Sequence, residues 1–477
     1  MDQPVFVDAK DNLLLLPQKS RSIYPDFIGY NGDTHLLWKG NPWDDAKLLQ
    51  TFTTLSPGTI RYPDGSPANY WDWKVGHLDT TLDTRKFMVP WWMGNLFELK
   101  DKAYTVENLH KAAIAAKASV VFNLNVVTDN EGVGAGRPEY QIKMLKYWQN
   151  LGMPLKYVEL GNELSAKWQE SLIAEPDDYK NQAGYTAKYN TSKAYISDMK
   201  WWISELRKNL QGNYKVALVG AASPPYQQYR REKEWNLDLD ASLDQLFGSD
   251  KANALTLHHY YDTSANSPGA VSTDDFITKG LDGWYYTLND TFLKHFKNPN
   301  FRKNVELWIT EYNIDGSGEG KWYDTWNQAL YIAAFLNEQL RNEQVTLTNF
   351  HGLYKGQFGA LKEDLSLSQP GRVLQLFGQA MKGMTAAVYY GPKSSKETML
   401  NQKYQGVFAW LFSNATERSM LLFNLTQNEQ TISISQPPFR RNVTVNTITE
   451  KGKVSSKIPR RLHQVKLPAR SIGLLVA

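Results

Sequence analysis

Two glutamates stand where apolar, β-branched stretches of the sequence end, and both are candidates for chemistry. Glu163 closes the apolar run in LKYVELGNELSAKW, and Glu311 closes the run in LWITEYNI. An ionised carboxylate at the end of a buried strand is costly unless it is paired, hydrogen-bonded or used in a reaction. If the fold brings the two together, one could stay protonated as an acid while the other stays ionised as a nucleophile or base.

Eight short apolar runs bounded by turn residues predict the strands that would position these carboxylates. In chain order they are DFIGYNG, TIRYPDG, SVVFNLNV, KYVELGNE, YKVALVGA, ALTLHHYY, VELWITEY and TNFHGLYK. Segments of helical period lie between or after them: DDAKLLQTFTTL, TVENLHKAAIAAKA, EYQIKMLKYWQNL, TSKAYISDMKWWISELRKNL, the stretch 286–296, TWNQALYIAAFLNEQLRN and RVLQLFGQAMKGM. This alternation predicts the α/β class and a (β/α)8 TIM barrel. A doubly wound sheet is the competitor, but no Gly-rich phosphate loop follows the first strand.

The barrel is predicted to span residues 20–384, and the character of the sequence then changes. Short alternating stretches such as GVFAWLFSN and RSMLLFNLT, separated by polar turns, predict a β-sandwich domain over 385–477. A strand from 3–15, which contains PVFVDA, is expected to join that sandwich. A chain of 477 residues suits two domains of this kind.

Composition excludes several classes of function. The net charge of +4, from 53 basic and 49 acidic residues, is small and scattered, so we expect no nucleic-acid partner. No apolar stretch is long enough for a membrane span, and no obligatory protein partner is evident. The absence of cysteine excludes disulfides, thiolate metal sites and cysteine nucleophiles. The eight histidines show no metal-binding spacing and no G-x-S-x-G follows a strand, so neither a metal, a cofactor nor a serine nucleophile is predicted.

The cellular location is not fixed by the sequence. MDQPVFVDAKDNLLLLPQ lacks a basic start and contains a run of only four leucines, so it is not a signal peptide. A secreted or periplasmic location with a leader removed is favoured, and a cytoplasmic one stays open.

In a TIM barrel the chemistry lies at the C-terminal ends of the strands, so Glu163 on strand four and Glu311 on strand seven would meet across the mouth. Two facing carboxylates are what glycoside hydrolysis requires, since one protonates the leaving oxygen and the other attacks the anomeric carbon or activates water. Carboxyl groups about 5 to 5.5 Å apart would predict retention of configuration.

These positions resemble those of the large clan of retaining (β/α)8 glycoside hydrolases. Within that clan, ELGNELS, LTLHHYYD and IRYPDGS resemble stretches of the heparanase and β-glucuronidase group, glycoside hydrolase family 79. The resemblance to the clan covers nearly the whole chain. It implies that Glu163 is the acid/base, that Glu311 is the nucleophile, and that the reaction passes through a covalent glycosyl intermediate.

Further residues are predicted to support the two carboxylates or to bind the sugar. Arg61 would hold Glu311 ionised and Tyr260 would donate to it, although an ordinary strand-end ion pair is the alternative for Arg61. His258 shares a strand face with Tyr260, whereas His259 and Tyr261 should point the other way and pack. The candidate sugar-binding residues, each with a structural alternative in packing or local turns, are Asn162, Asn31, Asn123, Asn125, Trp71, Trp73, Trp91 and Trp92.

Two acidic residues depart from the family pattern. Asp64 stands in YPDGS where a glycine is usual, and Glu319 lies in the loop NIDGSGEGKW after Glu311. Both would repel a uronic acid if they faced the pocket. A neutral-sugar enzyme of the same clan, such as a β-glucanase or an arabinofuranosidase, therefore stays open. The alternative from another class is a carbohydrate-binding protein without turnover, which would have no reason to keep two opposed carboxylates.

Overall fold

The fold contains two sheets and a ring of helices. The computed structural model describes residues 13–32, 43, 45–79, 105–128, 135–165, 188–189, 191–222, 230–248, 252–264, 271–315, 322–354, 359–392, 406–434, 443–458 and 464–476. The strands are β1 (Leu13–Ser22), β2 (Ile28–Asn31), β3 (Thr59–Tyr62), β4 (Trp71–Asp72), β5 (His77–Leu78), β6 (Ser119–Leu124), β7 (Tyr157–Leu160), β8 (Lys215–Val219), β9 (Ala254–Asp262), β10 (Glu306–Asp315), β11 (Val345–Phe350), β12 (Ala386–Pro392), β13 (Val407–Ser413), β14 (Arg418–Asn424), β15 (Gln430–Ile434), β16 (Val443–Thr449), β17 (Gly452–Ile458), β18 (Gln464–Leu467) and β19 (Ser471–Val476). The α-helices are α1 (Ala46–Thr54), α2 (Val106–Ala116), α3 (Pro138–Asn150), α4 (Ser192–Asn209), α5 (Arg230–Ala241), α6 (Leu243–Leu246), α7 (Thr273–Tyr285), α8 (Phe301–Asn304), α9 (Trp326–Arg341) and α10 (Gln369–Met381).

Eight parallel strands close into a barrel in the order β10-β11-β2-β3-β6-β7-β8-β9. They correspond to the eight predicted apolar runs, so the prediction of a TIM barrel is confirmed. Successive side chains alternate between the interior and the surrounding helices, and both faces are buried. One interior layer is apolar and consists of Val121, Tyr157, Ala217, Ala254, Trp308 and Leu347.

Besides the four-residue helices α6 and α8, which were not predicted, two longer helices differ from the sequence prediction. Helix α5 was not predicted, because its sequence RREKEWNLDLDA is dominated by charge, yet its side chains Trp235 and Leu239 are fully buried. The fifth helical segment was predicted at 286–296, but the α-helix there is α7 (Thr273–Tyr285), and a π-helical turn at Tyr286–Phe292 continues it. The glycines in TKGLDGWY resemble helix breakers. Gly280 is instead needed for packing, since a Cβ there would lie 2.4 Å from the ring of Tyr331.

The second sheet has nine strands in the order β17-β16-β19-β14-β13-β12-β1-β15-β18 and is mostly antiparallel. It folds back on itself as a sandwich, because side chains from its central strands and from β15 and β18 share one core. The expected additional strand is β1, which pairs antiparallel with β12 and parallel with β15. The PVFVDA segment lies outside the described residues, and the boundary at 384/385 stays a prediction.

Helices α9 and α10 lie between the barrel and the second sheet. Trp410 of β13 donates its Nε1–H to Asn337 of α9 at 2.9 Å, and the ring of Phe377 in α10 packs 5.5 Å from that of Phe423 in β14. One hydrophobic core therefore continues from the barrel helices into the sheet. Across the part of the chain that the structure describes, none of the helices has the length and apolar character to cross a membrane.

Candidate active site

The two candidate carboxylates lie at the mouth of the barrel, although neither occupies the last position of a strand. Glu163 lies three residues beyond the end of β7 and has a positive φ of 48°. Glu311 lies inside β10, which continues to Asp315. The pairing of β10 with β9 shifts register between Ile309 and Glu311. This irregularity allows consecutive residues of β10 to contact groups at the barrel centre.

The fold brings the two carboxylates together through His258. One oxygen of Glu163, one oxygen of Glu311 and a nitrogen of His258 all lie within 4.8 Å of one another. The Nδ1 atom of His258 is 2.8 Å from Oε1 of Glu163 and 3.5 Å from Oε2 of Glu311. The side chain of Glu163 is 23% exposed and that of Glu311 is 4% exposed, so only Glu163 has appreciable contact with solvent.

Donors and positive charge surround Glu311. Arg61 donates from Nη1 to Oε1 at 2.7 Å, and the hydroxyl of Tyr260 donates to Oε2. His351 Nδ1 lies 3.2 Å from Oε2 and also contacts the Tyr260 hydroxyl. Burial by itself would raise the pKa of Glu311, but the charges of His258, His351 and Arg61 outweigh burial and hold that pKa well below its usual value. Glu311 is therefore an ionised carboxylate at neutral pH.

A chain of hydrogen bonds leads from Glu163 to the barrel interior. His258 Nε2 lies 3.0 Å from the Thr310 hydroxyl, which donates to Oε1 of Glu159 at 3.4 Å. Because the single Thr310 proton points to Glu159, the Thr310 oxygen accepts from Nε2–H of His258. His258 therefore connects Glu163, at its Nδ1 atom, to the buried Thr310 and Glu159, on the side of its Nε2 atom.

Arg61 is fully buried and all five of its N–H groups are used. Nε and Nη2 donate to the two oxygens of Glu159 at 2.7 and 3.0 Å. Nη1 donates to Asn31 at 2.9 Å and to Glu311, and Nη2 also donates to Asn162 at 2.7 Å. Burial lowers the pKa of Arg61, but the charges of Glu159 and Glu311 outweigh this and raise it. Arg61 is a fixed cation.

Hydrogen bonds to Asn69 and Arg61 fix the position of Asn162, and its side-chain Nδ2 group remains as a donor. Its backbone N–H donates to Asn69 Oδ1 at 3.0 Å, and its carbonyl accepts from Asn69 Nδ2 at 2.9 Å. Its Oδ1 accepts from Arg61. Its Nδ2 is buried and has no partner among the residues with described positions. A bound ligand would supply that partner, because buried amides are normally hydrogen-bonded.

The other predicted amides differ from Asn162. Asn31 lies beneath the site, where it accepts from Arg61 and donates to the carbonyl of Thr310 at 2.8 Å. Asn125 donates to the Trp71 carbonyl and the Thr128 hydroxyl and accepts two backbone N–H groups, so its capacity is used within its own loop. Both polar atoms of buried Asn123 lack a partner within the described ranges. The structure does not bring Asn125 to the carboxylates.

The two predicted tryptophans within the described chain stabilise the segment after β3. Trp71 is 4% exposed and donates from Nε1 to the Tyr62 hydroxyl at 3.0 Å. Trp73 stacks on Tyr147 with centroids 6.2 Å apart and donates to the Tyr140 carbonyl. Both contacts are loop packing. Trp91, Trp92 and Glu319 lie outside the described residues.

The alternation along β9 separates site residues from packing residues. His258 and Tyr260 face the carboxylates, whereas His259 stacks on Phe335 at 5.3 Å and Tyr261 packs on Phe276 at 5.0 Å. Burial lowers the pKa of His259 to about 3, so this ring is neutral.

Sequence reasoning missed Glu159, Thr310, His351 and Asn69. Glu159 was detectable, because a lone glutamate interrupts the apolar strand YVEL and alternation places it inside the barrel. His351 follows β11 directly, and a polar residue at the C-terminal end of a barrel strand is a candidate for the site. Asn69 lies in the 3-10 turn Ser66–Tyr70, where the sequence gives no comparable signal.

Glu163, His258 and Glu311 are also the set of described residues with the spacing to hold a metal ion. The guanidinium of Arg61 already occupies one oxygen of Glu311, however, and would repel a cation at that position. This donor set therefore fits proton transfer and nucleophilic attack better than a resident metal.

No protein-family model and no curated protein sequence matches the chain. Solved structures do match it. The family 51 arabinofuranosidase from Xanthomonas axonopodis pv. citri has a TM-score of 0.66 at 12% identity, over 96% of this chain and 97% of that one. A 4-O-α-L-rhamnosyl-β-D-glucuronidase from Fusarium oxysporum has a TM-score of 0.60 at 13% identity, over 98% and 100%. A family 30 endoxylanase from Clostridium papyrosolvens has a TM-score of 0.52 at 13% identity, over 97% and 98%. At these identities the likeness establishes the fold, a TIM barrel with an accessory β-domain.

Proposed function

We propose that the protein is a retaining glycoside hydrolase that acts on a polysaccharide or oligosaccharide. The observation that carries this proposal is the pair Glu163 and Glu311, with an oxygen of each within 4.8 Å of the other and with opposite environments. Retaining enzymes hold their carboxyl groups about 5 to 5.5 Å apart, whereas inverting enzymes leave roughly 6.5 to 9.5 Å for a water molecule. The close approach supports retention.

In the first step, ionised Glu311 attacks the anomeric carbon while Glu163 donates its proton to the leaving oxygen. The C–O bond to the leaving group breaks and a glycosyl ester to Glu311 forms. In the second step, Glu163 takes a proton from water, which displaces Glu311 and releases the sugar. His258 orients Glu163 through its Nδ1 atom, and the free Nδ2–H of Asn162 is positioned to donate to a sugar hydroxyl.

The resemblance of ELGNELS, LTLHHYYD and IRYPDGS to heparanases and β-glucuronidases supports a β-linked glucuronide as substrate. The structural neighbours include a rhamnosyl-glucuronidase, but also an arabinofuranosidase and an endoxylanase. One observation favours a neutral sugar. Asp64 is fully buried and close enough to Arg61 to raise its pKa, so it adds a further negative charge to a centre that already holds Glu159 and Glu311. A uronic carboxylate would be repelled there.

The test is hydrolysis of a panel of aryl glycosides and polysaccharides by the wild type, Glu163→Gln and Glu311→Gln. The panel contains a β-glucuronide, an α-L-arabinofuranoside, a β-xyloside and a β-glucan. We expect one class to be hydrolysed with retention of anomeric configuration, measured by NMR, and we expect Glu311→Gln to lose at least about 10³-fold in kcat. Glu163→Gln should lose less on aryl glycosides with good leaving groups, because these need little protonation.

Inversion of configuration, or full activity in Glu311→Gln, would contradict the proposal. Sugar binding without turnover by the wild type would favour the non-catalytic carbohydrate-binding protein. Activity restricted to the β-glucuronide would support the heparanase-like substrate, and activity restricted to a neutral glycoside would support the effect assigned to Asp64.

A further inference from the structure

We propose that Glu159 is a positioning residue that serves as the permanent counter-ion of Arg61, so that Arg61 stays paired while Glu311 alternates between a carboxylate and a glycosyl ester. The inference rests on the proposed function. It assigns a role to a buried carboxylate that neither donates a proton to the substrate nor attacks it.

Arg61 forms more hydrogen bonds with Glu159 than with Glu311. Two parallel N–H groups of Arg61 reach the two oxygens of Glu159, at 2.7 and 3.0 Å, whereas a single N–H reaches Glu311. Both side chains of the Arg61–Glu159 pair have zero exposure. Such a bidentate pair fixes the plane of the guanidinium. Because Asn31 and Asn162 take the remaining N–H groups, Arg61 cannot rotate to form a second bond to Glu311.

The role of Glu159 follows from the change in charge at Glu311 during the reaction. In the free protein, the single charge of Arg61 faces the two carboxylates of Glu159 and Glu311. When Glu311 forms an ester its charge is lost, and without Glu159 the buried Arg61 would have no carboxylate hydrogen-bonded to it, although the charge of Asp64 would remain nearby. Removal of one partner from a buried ion pair is strongly destabilising. Glu159 therefore keeps the centre electrically balanced in the intermediate.

The first test needs no substrate. Glu311→Gln imitates the loss of charge at Glu311, so we compare thermal unfolding of the wild type, Glu159→Gln, Glu311→Gln and the double variant. Each single variant leaves Arg61 one hydrogen-bonded carboxylate, whereas the double variant leaves it none. We expect the decrease in Tm of the double variant to exceed the summed decreases of the two single variants by more than about 3 °C. Additive changes would overturn the proposal.

The second test uses a glycoside that the wild type hydrolyses, prepared with a dinitrophenyl leaving group. In Glu159→Gln we expect kcat/KM to fall by about 10- to 100-fold and the pre-steady-state burst to shrink, because the intermediate is less stable. The acidic limb of kcat/KM should move to lower pH, since the negative charge of Glu159 no longer offsets the charge of Arg61 at Glu311. Glu159→Asp keeps the charge and should keep the wild-type limb.

Glu306→Gln is the matched control. Glu306 is a partly buried glutamate at the opposite end of β10, paired with Lys215, so its substitution lowers stability without a change in the burst or the pH limb. An unchanged burst and limb in Glu159→Gln would overturn the proposal, as would equal defects in Glu159→Asp and Glu159→Gln. A wild type that hydrolyses no glycoside would refute the proposed function instead, and the unfolding cycle would still decide whether Glu159 is the counter-ion of Arg61.

Discussion

At the scale of single residues, Glu311 depends on groups supplied by two other strands and by a residue that follows a third. Arg61 comes from β3, and His258 and Tyr260 come from β9, whereas His351 follows β11. Each of these groups favours the ionised form of a carboxyl that burial would otherwise protonate. A change in any of them should therefore be visible in the pH dependence of a reaction that needs ionised Glu311.

For His351→Asn we predict that the acidic limb of kcat/KM moves to higher pH. Burial raises the pKa of Glu311, and the charge of His351 is among the groups that lower it, so loss of the imidazole leaves burial less opposed. Loss of a charge-assisted hydrogen bond of about 1.5–3 kcal/mol should also reduce kcat/KM by about 10- to 100-fold. A pH–rate profile on the best substrate measures both effects. An unmoved limb would contradict the role given to His351.

The site residues that could be predicted from the sequence are charged residues within or at the end of apolar strands. Glu163 and Glu311 end apolar runs, and Arg61 interrupts one, so the spacing of the strands was enough to bring them together. The contacts of Asn31 and Asn125 were not predictable in the same way. Both are asparagines at the ends of barrel strands, and only the loop geometry shows that one supports Arg61 and the other ties its own turn.

At the scale of elements, the C-terminus of α9 depends on a side chain from another sheet. The last carbonyls of a helix have no partner within the helix. Arg21 of β1 donates to the carbonyls of Leu340, Asn342 and Val345 at 2.9, 2.8 and 2.7 Å. A cation at this end also opposes the negative end of the helix dipole. One strand of the second sheet thus stabilises a helix of the barrel.

For Arg21→Met we predict a loss of about 2–4 kcal/mol in the free energy of unfolding, since several buried carbonyls lose a charged donor. Denaturant unfolding measures the change. Lys19→Met is the matched control, because Lys19 lies on the same strand and its ion pair with Glu343 is more than half exposed on both sides. That pair should contribute less than about 1 kcal/mol. Equal losses in the two variants would contradict the prediction.

The prediction of elements succeeded where the apolar period was regular and failed where local composition masked it. The eight barrel strands were all found, because buried parallel strands have few polar interruptions. Helix α5 was hidden by its charges, and α7 by two glycines, one of which accommodates the ring of Tyr331. Those close contacts come from tertiary packing, which a local pattern does not contain.

At the scale of the whole molecule, the barrel and the second sheet share one core. Phe408, Trp410 and Phe423 of the sheet belong to the same hydrophobic cluster as the barrel helices. Trp326 of α9 also donates from Nε1 to the carbonyl of Arg470 at 2.9 Å. A shared core of this kind couples the stability of the two parts, because neither can unfold without exposing apolar surface of the other.

We predict that calorimetry shows one unfolding transition for the barrel and the sheet together. Trp410→Ala should lower the Tm of that single transition, because removal of a buried tryptophan costs about 3–5 kcal/mol. Val454→Ala is the control, since Val454 is 62% exposed and should leave the Tm unchanged. Two separate transitions, with Trp410→Ala moving only one of them, would contradict the prediction.

The place of β1 has a consequence for the order in which the protein can be made. Residues Leu13–Ser22 leave the ribosome before any barrel strand, yet their partners β12 and β15 end at Pro392 and Ile434. β1 must therefore stay without these partners while more than 350 further residues are synthesised. An unpaired strand edge invites association with other chains. We therefore expect this segment to need protection from other chains during translation.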